Sequence, residues 1–276
     1  MIRLAAALLA LGTVALGSSA AAGAAPGLRF AQRLGADPLV SSNWAGYAVT
    51  GTSAGSLPTS YTDVTGSWVQ PKVTCTAGTA SYSAFWVGLG GFSQDSQALE
   101  QIGTESNCNT GGQAVYAAWY EIVPAPSIPI KMTIAPGDRI TAAVLVQGTQ
   151  VTLQLTNATR HVRVTQRVAV PQPDLTSAEW IAEAPSACST SGRCRTLPLA
   201  NFGSVAFGRS AATGDGHAGT IAEPIWSPTQ IVLGGPTAGS FGPYAGSQPS
   251  QGLPGAVPGT LSADGRAFTV AWQPPS

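Results

Sequence analysis

Short runs of alternating apolar and polar residues recur along most of the chain. They are rich in Val, Ile, Thr and aromatic residues, and Gly, Pro, Asn or Asp occupy the gaps between them, as is typical of β-strands joined by turns. The predicted strands cover residues 44–50, 64–69, 83–89, 98–103, 114–123, 139–146, 149–157, 161–170, 179–182 and 267–272. After the first 24 residues, no run has apolar residues repeating at the 3.6-residue period of a helix, so almost no helix is expected. Many short strands without helical crossovers predict an all-β sandwich or barrel.

Two segments refine this strand pattern. Residues 150–167 form the clearest hairpin, because two β runs flank the turn at residues 157–160. Residues 234–259 are dense in Gly, Pro and Ser and predict a long exposed loop. Strand alternation resumes after this tract, so we expect a loop within a single domain of residues 42–276 rather than a linker between two domains.

The first 24 residues have the features of a signal peptide. Arg3 supplies a positive start, an apolar run follows from Leu4 to Leu16, and Ala22 and Ala24 offer a cleavage site. A membrane anchor would need a longer apolar span of about 20 residues. Residues 25–41 indicate a leader remnant or a short pro-segment. The mature protein is therefore expected to be secreted and extracellular, with no membrane partner.

Four cysteines suit an oxidising compartment. They permit three pairings, of which we favour Cys188–Cys194, closing a small loop, together with Cys75–Cys108. A zinc site is the competing interpretation. The spacing of the last two cysteines does not match zinc ribbons, and neither histidine has close ligand partners. Disulfides are therefore predicted, with no metal and no cofactor.

Charged residues are scarce and balanced. They make up 9% of the chain, with thirteen Lys and Arg against thirteen Asp and Glu. No basic stripe exists that would neutralise phosphates, which argues against nucleic acid and anionic membranes as partners. Oligomeric state cannot be inferred from this composition, and a monomer is our expectation.

One hydrolase motif is present but in the wrong context. Residues 51–55 fit G-x-S-x-G, a motif that works where a strand turns sharply into a helix. Pro58 and a polar stretch follow here instead, so a flexible turn is predicted. With the cysteines oxidised, any catalysis falls to carboxylates, amides and hydroxyls.

Several predicted strands place a Glu, Gln or Trp on the same face. Alternation of side chains along a strand aligns Gln101 with Glu105, Trp119 with Glu121, and Glu179 with Glu183. A polar face lined with tryptophan would suit an extended peptide or sugar chain.

The same segments carry a family resemblance. In order, they are S-N-W-A-G-Y at 42–47, V-T-G-S-W-V-Q-P at 64–71, W-V-G-L-G-G at 86–91, L-E-Q-I-G at 99–103, A-W-Y-E at 118–121 and A-E-W-I at 178–181. With these six motifs the chain resembles the glutamic peptidases, acid peptidases of fungi and bacteria, over most of residues 42–272. The family commonly has an aspartate where this chain has Gly90, and Asp95 comes only later.

The resemblance implies a fold, a site and a substrate. The fold would be an antiparallel β-sandwich of two large sheets, a concanavalin-like jelly roll, with the substrate on the concave face. Glu179 and Gln101 would be catalytic, although Gln94 and Gln97 are alternatives for the glutamine. Only Gln101 is followed by Ile-Gly. Protein or peptide substrates would lie in a cleft lined by Trp44, Trp86, Glu105 and Glu121.

This pair of residues predicts a mechanism. An ionised Glu179 can accept a proton from water and pass it to the leaving nitrogen. The amide of Gln101 can stabilise the developing oxyanion and position the water. Nearby Glu105 and Glu121 would raise the pKa of Glu179. We therefore expect an acid endopeptidase whose activity disappears toward neutral pH; the alternatives are a secreted carbohydrate-binding module and a glycoside hydrolase.

Overall fold

The structure is a computed structural model that describes residues 38–52, 57–93, 96–188, 194–234 and 254–275. The predicted signal peptide and the serine of the G-x-S-x-G motif lie outside the described residues. Within them all regular elements are strands: β1 (Leu39–Ser41), β2 (Trp44–Gly51), β3 (Tyr61–Val69), β4 (Ala84–Leu89), β5 (Leu99–Cys108), β6 (Ala114–Val123), β7 (Ile128–Ile130), β8 (Arg139–Gln147), β9 (Gln150–Asn157), β10 (Val162–Ala169), β11 (Ala178–Glu183), β12 (Ser186–Cys188), β13 (Cys194–Thr196), β14 (Ser204–Gly214), β15 (His217–Gly219), β16 (Trp226–Leu233), β17 (Gly255–Pro258) and β18 (Phe268–Gln273).

Among the described residues, sixteen strands form one continuous sheet that folds over on itself, and β12 and β13 form a separate two-stranded sheet. The order is β10-β9-β8-β3-β14-β18-β17-β16-β2-β11-β4-β5-β6-β7, with β1 and β15 attached to β16 and β14. Every ladder along this order is antiparallel, while β1 joins β16 in parallel. Strands of the two halves contact each other face to face, for example β4 with β8 and β5 with β9. The predicted antiparallel β-sandwich is confirmed.

The main core lies between the two layers. In β8 and β9 every second residue is buried, as the alternating sequence predicts. From the opposite layer Trp180 is fully buried and donates a hydrogen bond from its Nε1 to the Thr65 carbonyl, 2.8 Å away. Gly66 makes room for this indole, since a Cβ there would lie 2.8 Å from its Cδ1. The Trp180 indole therefore requires a residue without a side chain at position 66.

Strands β4 and β11 are buried on both faces. Every residue of each strand is buried, because a second apolar cluster, which includes Trp44, Trp86 and Ile181, covers the face turned away from the main core. Glu179 and Gln101 belong to this second face, so the candidate site lies in the middle of a sheet.

The structure also differs from the sequence-based boundaries. The predicted hairpin is confirmed, with Asn157 opposite Val162. Strand β17 lies inside the predicted loop of residues 234–259, and residues 235–253 of that loop lie outside the described residues. Strand β1 lies inside the predicted leader remnant, where it pairs with β16. Strands β14 and β16 were not among the predicted strands.

The favoured pairing is confirmed for Cys75–Cys108 and stays a prediction for Cys188–Cys194. Cys75 and Cys108 form a disulfide with their Cα atoms 5.4 Å apart. The backbone of the β12–β13 hairpin places Cys188 opposite Cys194, and Cys194 is disulfide-bonded. Among the described residues no cluster of His, Cys, Asp and Glu could hold a metal ion. In the same part of the chain, no helix is long and apolar enough to span a membrane.

Candidate active site

Strand register brings the two predicted catalytic residues into one row. Glu179 of β11 pairs with Gly88 of β4, Gly88 pairs with Gln101 of β5, and Gln101 pairs with Glu121 of β6. Paired residues of antiparallel strands point to the same face, so the three polar side chains emerge together. Because Gly88 has no side chain, a gap one strand wide separates Glu179 from Gln101.

The orientation of the Gln101 amide is fixed by Glu121. The Gln101 Nε2 donates a hydrogen bond of 2.6 Å to the Glu121 Oε2. The Gln101 Oε1 is buried and has no partner within the protein. This oxygen and the second N–H of the amide therefore remain available to a water molecule or a substrate. Of the two alternative residues, Gln94 lies outside the described residues, and Gln97 precedes β5 and lies outside the row.

The Glu179 carboxyl is buried without a well-aligned hydrogen bond. The residue is fully buried, and neither carboxyl oxygen makes a well-aligned hydrogen bond within the protein. Burial raises the pKa of Glu179 well above its usual range, and the charges of Asp174 and Glu100 raise it further. The Ser177 hydroxyl is near enough to oppose this rise in pKa. The protonated form of Glu179 is consequently favoured in acidic solution.

A second buried carboxyl lies four residues further along β11. Glu183 accepts hydrogen bonds from the Trp86 Nε1, 2.7 Å away, and from the Asn43 Nδ2, 3.2 Å away. Burial, followed by the charge of Glu121, raises the pKa of Glu183 to about 8. The sequence placed Glu183 on the correct face but gave no sign of these partners, which come from distant segments.

A cavity opens beside the row formed by Glu179, Gly88, Gln101 and Glu121, here called the predicted catalytic row. Its volume is about 250 Å³, and Glu105, Glu121, Glu183 and Trp119 are among the residues that line it. The structure thus brings together Glu105 and Glu121, two of the predicted cleft residues. The other two, Trp44 and Trp86, are fully buried and pack edge to face with ring centroids 5.1 Å apart. Their participation in substrate binding stays a prediction.

Gly90 adopts a conformation that explains the missing aspartate. Its φ of 79° is left-handed, and a Cβ there would lie 2.5 Å from the Asp174 Cβ. A carboxylate from another loop therefore occupies the space beside Gly90. Sequence spacing did not reveal this, because Asp174 is 84 positions away along the chain.

Known structures share this fold. Scytalido-glutamic peptidase, solved with a peptide-based transition state analog, matches with a TM-score of 0.61 and 24% identity, over 84% of this chain and 98% of that one. SCP-B, a member of the Eqolisin family solved with the tripeptide Ala-Ile-His, matches with a TM-score of 0.57 and 22% identity, over 84% and 98%. Aspergilloglutamic peptidase from Aspergillus niger matches with a TM-score of 0.51 and 25% identity, over 70% and 99%. Comparison with curated proteins finds no match.

The family is settled by sequence as well as by fold. The profile of the Peptidase A4 family matches residues 42–231, which is well over half of the chain. This segment includes Glu179, Gln101 and Glu121. The match decides in favour of a peptidase over the carbohydrate-binding and glycosidase alternatives. The chain belongs to the Peptidase A4 family and is an endopeptidase of the glutamic type.

Proposed function

We propose that the protein is a secreted, monomeric acid endopeptidase in which Glu179 and Gln101 act on a water molecule held between them. The observation that carries this proposal is the row in which Gly88 separates the two side chains. Both the Glu179 carboxyl and the Gln101 Oε1 are buried there without a well-aligned hydrogen bond from the protein. Buried polar atoms are normally hydrogen-bonded, so water and substrate are the natural partners of these groups.

Catalysis starts from protonated Glu179. The raised pKa of this carboxyl favours the protonated form at acidic pH, whereas the sequence alone suggested an ionised starting form. Glu179 donates its proton to the oxygen of the scissile carbonyl while water attacks the carbon. The other carboxyl oxygen accepts a proton from the attacking water. The product is a neutral tetrahedral gem-diol, and Glu179 is again protonated.

The second step repeats the transfer in the opposite direction. Glu179 donates its proton to the leaving nitrogen as the C–N bond breaks. One hydroxyl of the gem-diol returns a proton to the carboxylate, which leaves a carboxylic acid, an amine and protonated Glu179. The Gln101 Oε1 accepts a hydrogen bond from the attacking water, and its free N–H donates to a gem-diol oxygen. Glu121 holds the amide in this orientation.

The substrates would be proteins or peptides that reach the row from the cavity, which residues of β5, β6 and β11 line. Two structures that share the fold were solved with a peptide-based transition state analog and with a tripeptide. The cavity beside the row provides room for substrate side chains. Secretion is supported by the N-terminal signal-like segment and by the disulfide between Cys75 and Cys108.

The test is digestion of a denatured protein at pH values from about 3 to about 8. Wild type is compared with Glu179→Gln and Gln101→Ala, and with Glu223→Gln as a control, since Glu223 lies outside the row. Each variant is checked for folding by circular dichroism. We expect cleavage in acid by wild type and control only. Full activity in folded Glu179→Gln, or equal wild-type activity across the whole range, would overturn the proposal.

A further inference from the structure

Asp174 joins two loops beside the predicted catalytic row. Its Oδ1 accepts hydrogen bonds from the Thr176 backbone N–H at 3.0 Å and from the Thr176 hydroxyl at 2.7 Å. Its Oδ2 accepts from the Gly91 N–H at 3.2 Å and is in close hydrogen-bond contact with the Ser96 hydroxyl. Gly91 and Ser96 belong to the β4–β5 connection, whereas Asp174 and Thr176 precede β11.

The two joined loops lead directly into the strands that carry the site. Gly90 is two residues after Gly88, and Ser177 is two residues before Glu179. The Gly90 N–H donates to the Ser177 carbonyl at 3.1 Å, which extends the β4–β11 ladder by one bond. The carboxylate of Asp174 therefore fixes the ends of the strands on both sides of the gap.

Asp174 also belongs to a group of acids. Glu100 of β5 is fully buried, and neither of its carboxyl oxygens has a well-aligned partner. Burial, then the charge of Asp174, raises the pKa of Glu100 to about 8. Asp174 and Glu100 both raise the pKa of Glu179. The phenol of Tyr61 on β3 also interacts with Glu179, since its pKa is raised by burial and then by the charges of Glu179 and Asp215.

We propose that Asp174 is a positioning residue for the Glu179–Gln101 pair, acting through the loops before β5 and β11 and through its charge. The proposal rests on the function assigned to that pair. The loop contacts of Asp174 and its charge should affect activity in two different ways. Loss of the loop contacts would misplace the catalytic groups and slow turnover at every pH. Loss of the charge would let Glu179 ionise at lower pH, so activity would disappear at lower pH.

Three variants separate the two effects. Asp174→Asn keeps the size of the side chain and removes its charge. Ser96→Ala removes the hydroxyl that contacts Asp174, the Gly91 N–H and the Ala98 carbonyl, and it leaves the charge of Asp174 in place. Asp264→Asn is the matched control, because Asp264 also accepts hydrogen bonds from a nearby hydroxyl and a backbone N–H, but in a distant turn. Should Asp174→Asn fail to fold, Asp174→Ser removes the same charge with a smaller side chain.

Two measurements are made on each variant. The first is the pH dependence of kcat on a peptide substrate, and the second is a ¹³C NMR titration of the Glu179 carboxyl, which needs no catalysis. For Asp174→Asn we expect a kcat about tenfold lower, an alkaline limb moved to lower pH and a lowered pKa of Glu179. For Ser96→Ala we expect the lower kcat alone. Asp264→Asn should behave as wild type.

The results test the role of Asp174 separately from the proposed peptidase function. An unchanged pKa of Glu179 in Asp174→Asn, or an equal shift of the alkaline limb in Ser96→Ala, would overturn the role of Asp174 while leaving a functioning peptidase. Absence of hydrolysis by wild type would instead overturn the proposed function. In that case the NMR titration would still decide whether the charge of Asp174 acts on Glu179.

Discussion

At the scale of single residues, the site depends on a contact that determines which atom of an amide faces the gap. Glu121 accepts a hydrogen bond of 2.6 Å from the Gln101 Nε2. A carboxylate accepts hydrogen bonds only, whereas an amide both donates and accepts. Gln101 must therefore present its nitrogen to Glu121, which leaves its Oε1 for the attacking water of the proposed mechanism.

Replacing Glu121 by Leu should remove this orientation without introducing a new hydrogen-bonding group. A buried amide that loses its charged partner also loses about 1.5–3 kcal/mol of hydrogen bonding. We expect kcat to fall about 100-fold, with a smaller change in KM, in steady-state assays at acidic pH. Glu105→Leu is the control, since Glu105 lines the same cavity four residues from Gln101. Equal losses in both variants would contradict an orienting role for Glu121.

Strand alternation could predict the face of the sheet on which Glu179 and Gln101 lie, whereas their catalytic roles are implied by the family resemblance and stay a prediction. Glu183 and Asp174 could not be given their roles in this way. Their partners Asn43, Trp86 and Ser96 are between 78 and 140 positions away along the chain. Contacts at such separations depend on how the loops pack, which no local pattern encodes.

At the scale of elements, the pattern of buried positions decided which strands could be predicted. The burial pattern of β8 and β9 follows the alternating sequence. In β14, by contrast, the register shifts between Gly208 and Ala211, and Arg209 has a φ of 53°. This bulge interrupts the alternation, and Ser210 and Ala212 give the buried face a weak apolar signal. In β16, Pro228 obscures the strand pattern.

The gap between Glu179 and Gln101 is a property of one strand, β4, because Gly88 of that strand has no side chain. A Cβ at Gly88 would lie 3.0 Å from both the Leu99 Cδ1 and the Trp86 Cζ3. It would also project into the space between Glu179 and Gln101. We expect Gly88→Ala to cost about 1–3 kcal/mol of stability through overpacking and to remove most of the activity.

The matched control for Gly88→Ala is Gly208→Ala, in the other layer. A Cβ at Gly208 meets only the Ser67 Oγ, at 3.6 Å, which is an ordinary contact. Urea unfolding and peptide hydrolysis are measured for both variants. Gly208→Ala should retain wild-type activity. Wild-type activity in a folded Gly88→Ala variant would show that water and substrate do not need the gap.

At the scale of the whole molecule, buried carboxyls link stability to pH. Glu100 and Glu183 are buried within the same layer, and the pKa of each is raised to about 8. The pKa of Glu179 is raised as well. In the unfolded chain these groups titrate near their ordinary value of 4.5. Between these two values the unfolded state loses protons that the folded state keeps.

Stability should therefore be greatest in acid and fall as pH rises from about 4.5 toward about 8. Each buried carboxyl adds to this fall in stability, because it keeps its proton in the folded state at pH values where the unfolded chain has lost it. Asp138 has the opposite sign: its contacts with Arg160, Asn157 and the Ala135 N–H lower its pKa, so its contribution is lost only at low pH. Urea unfolding of wild type at successive pH values measures the combined slope. A free energy of unfolding that rises toward neutral pH would refute this account.

Glu183→Gln should flatten the slope, because the amide keeps an acceptor for the Trp86 indole and does not titrate. As pH rises, wild type should therefore lose more free energy of unfolding than the variant does. Glu223→Gln is the control, since Glu223 has no comparable burial, and its slope should match that of wild type. If both variants kept the wild-type slope, the pH dependence would have to arise elsewhere than at Glu183. Glu100 and Glu179, whose pKa values are also raised by burial, would then account for the loss of stability toward neutral pH.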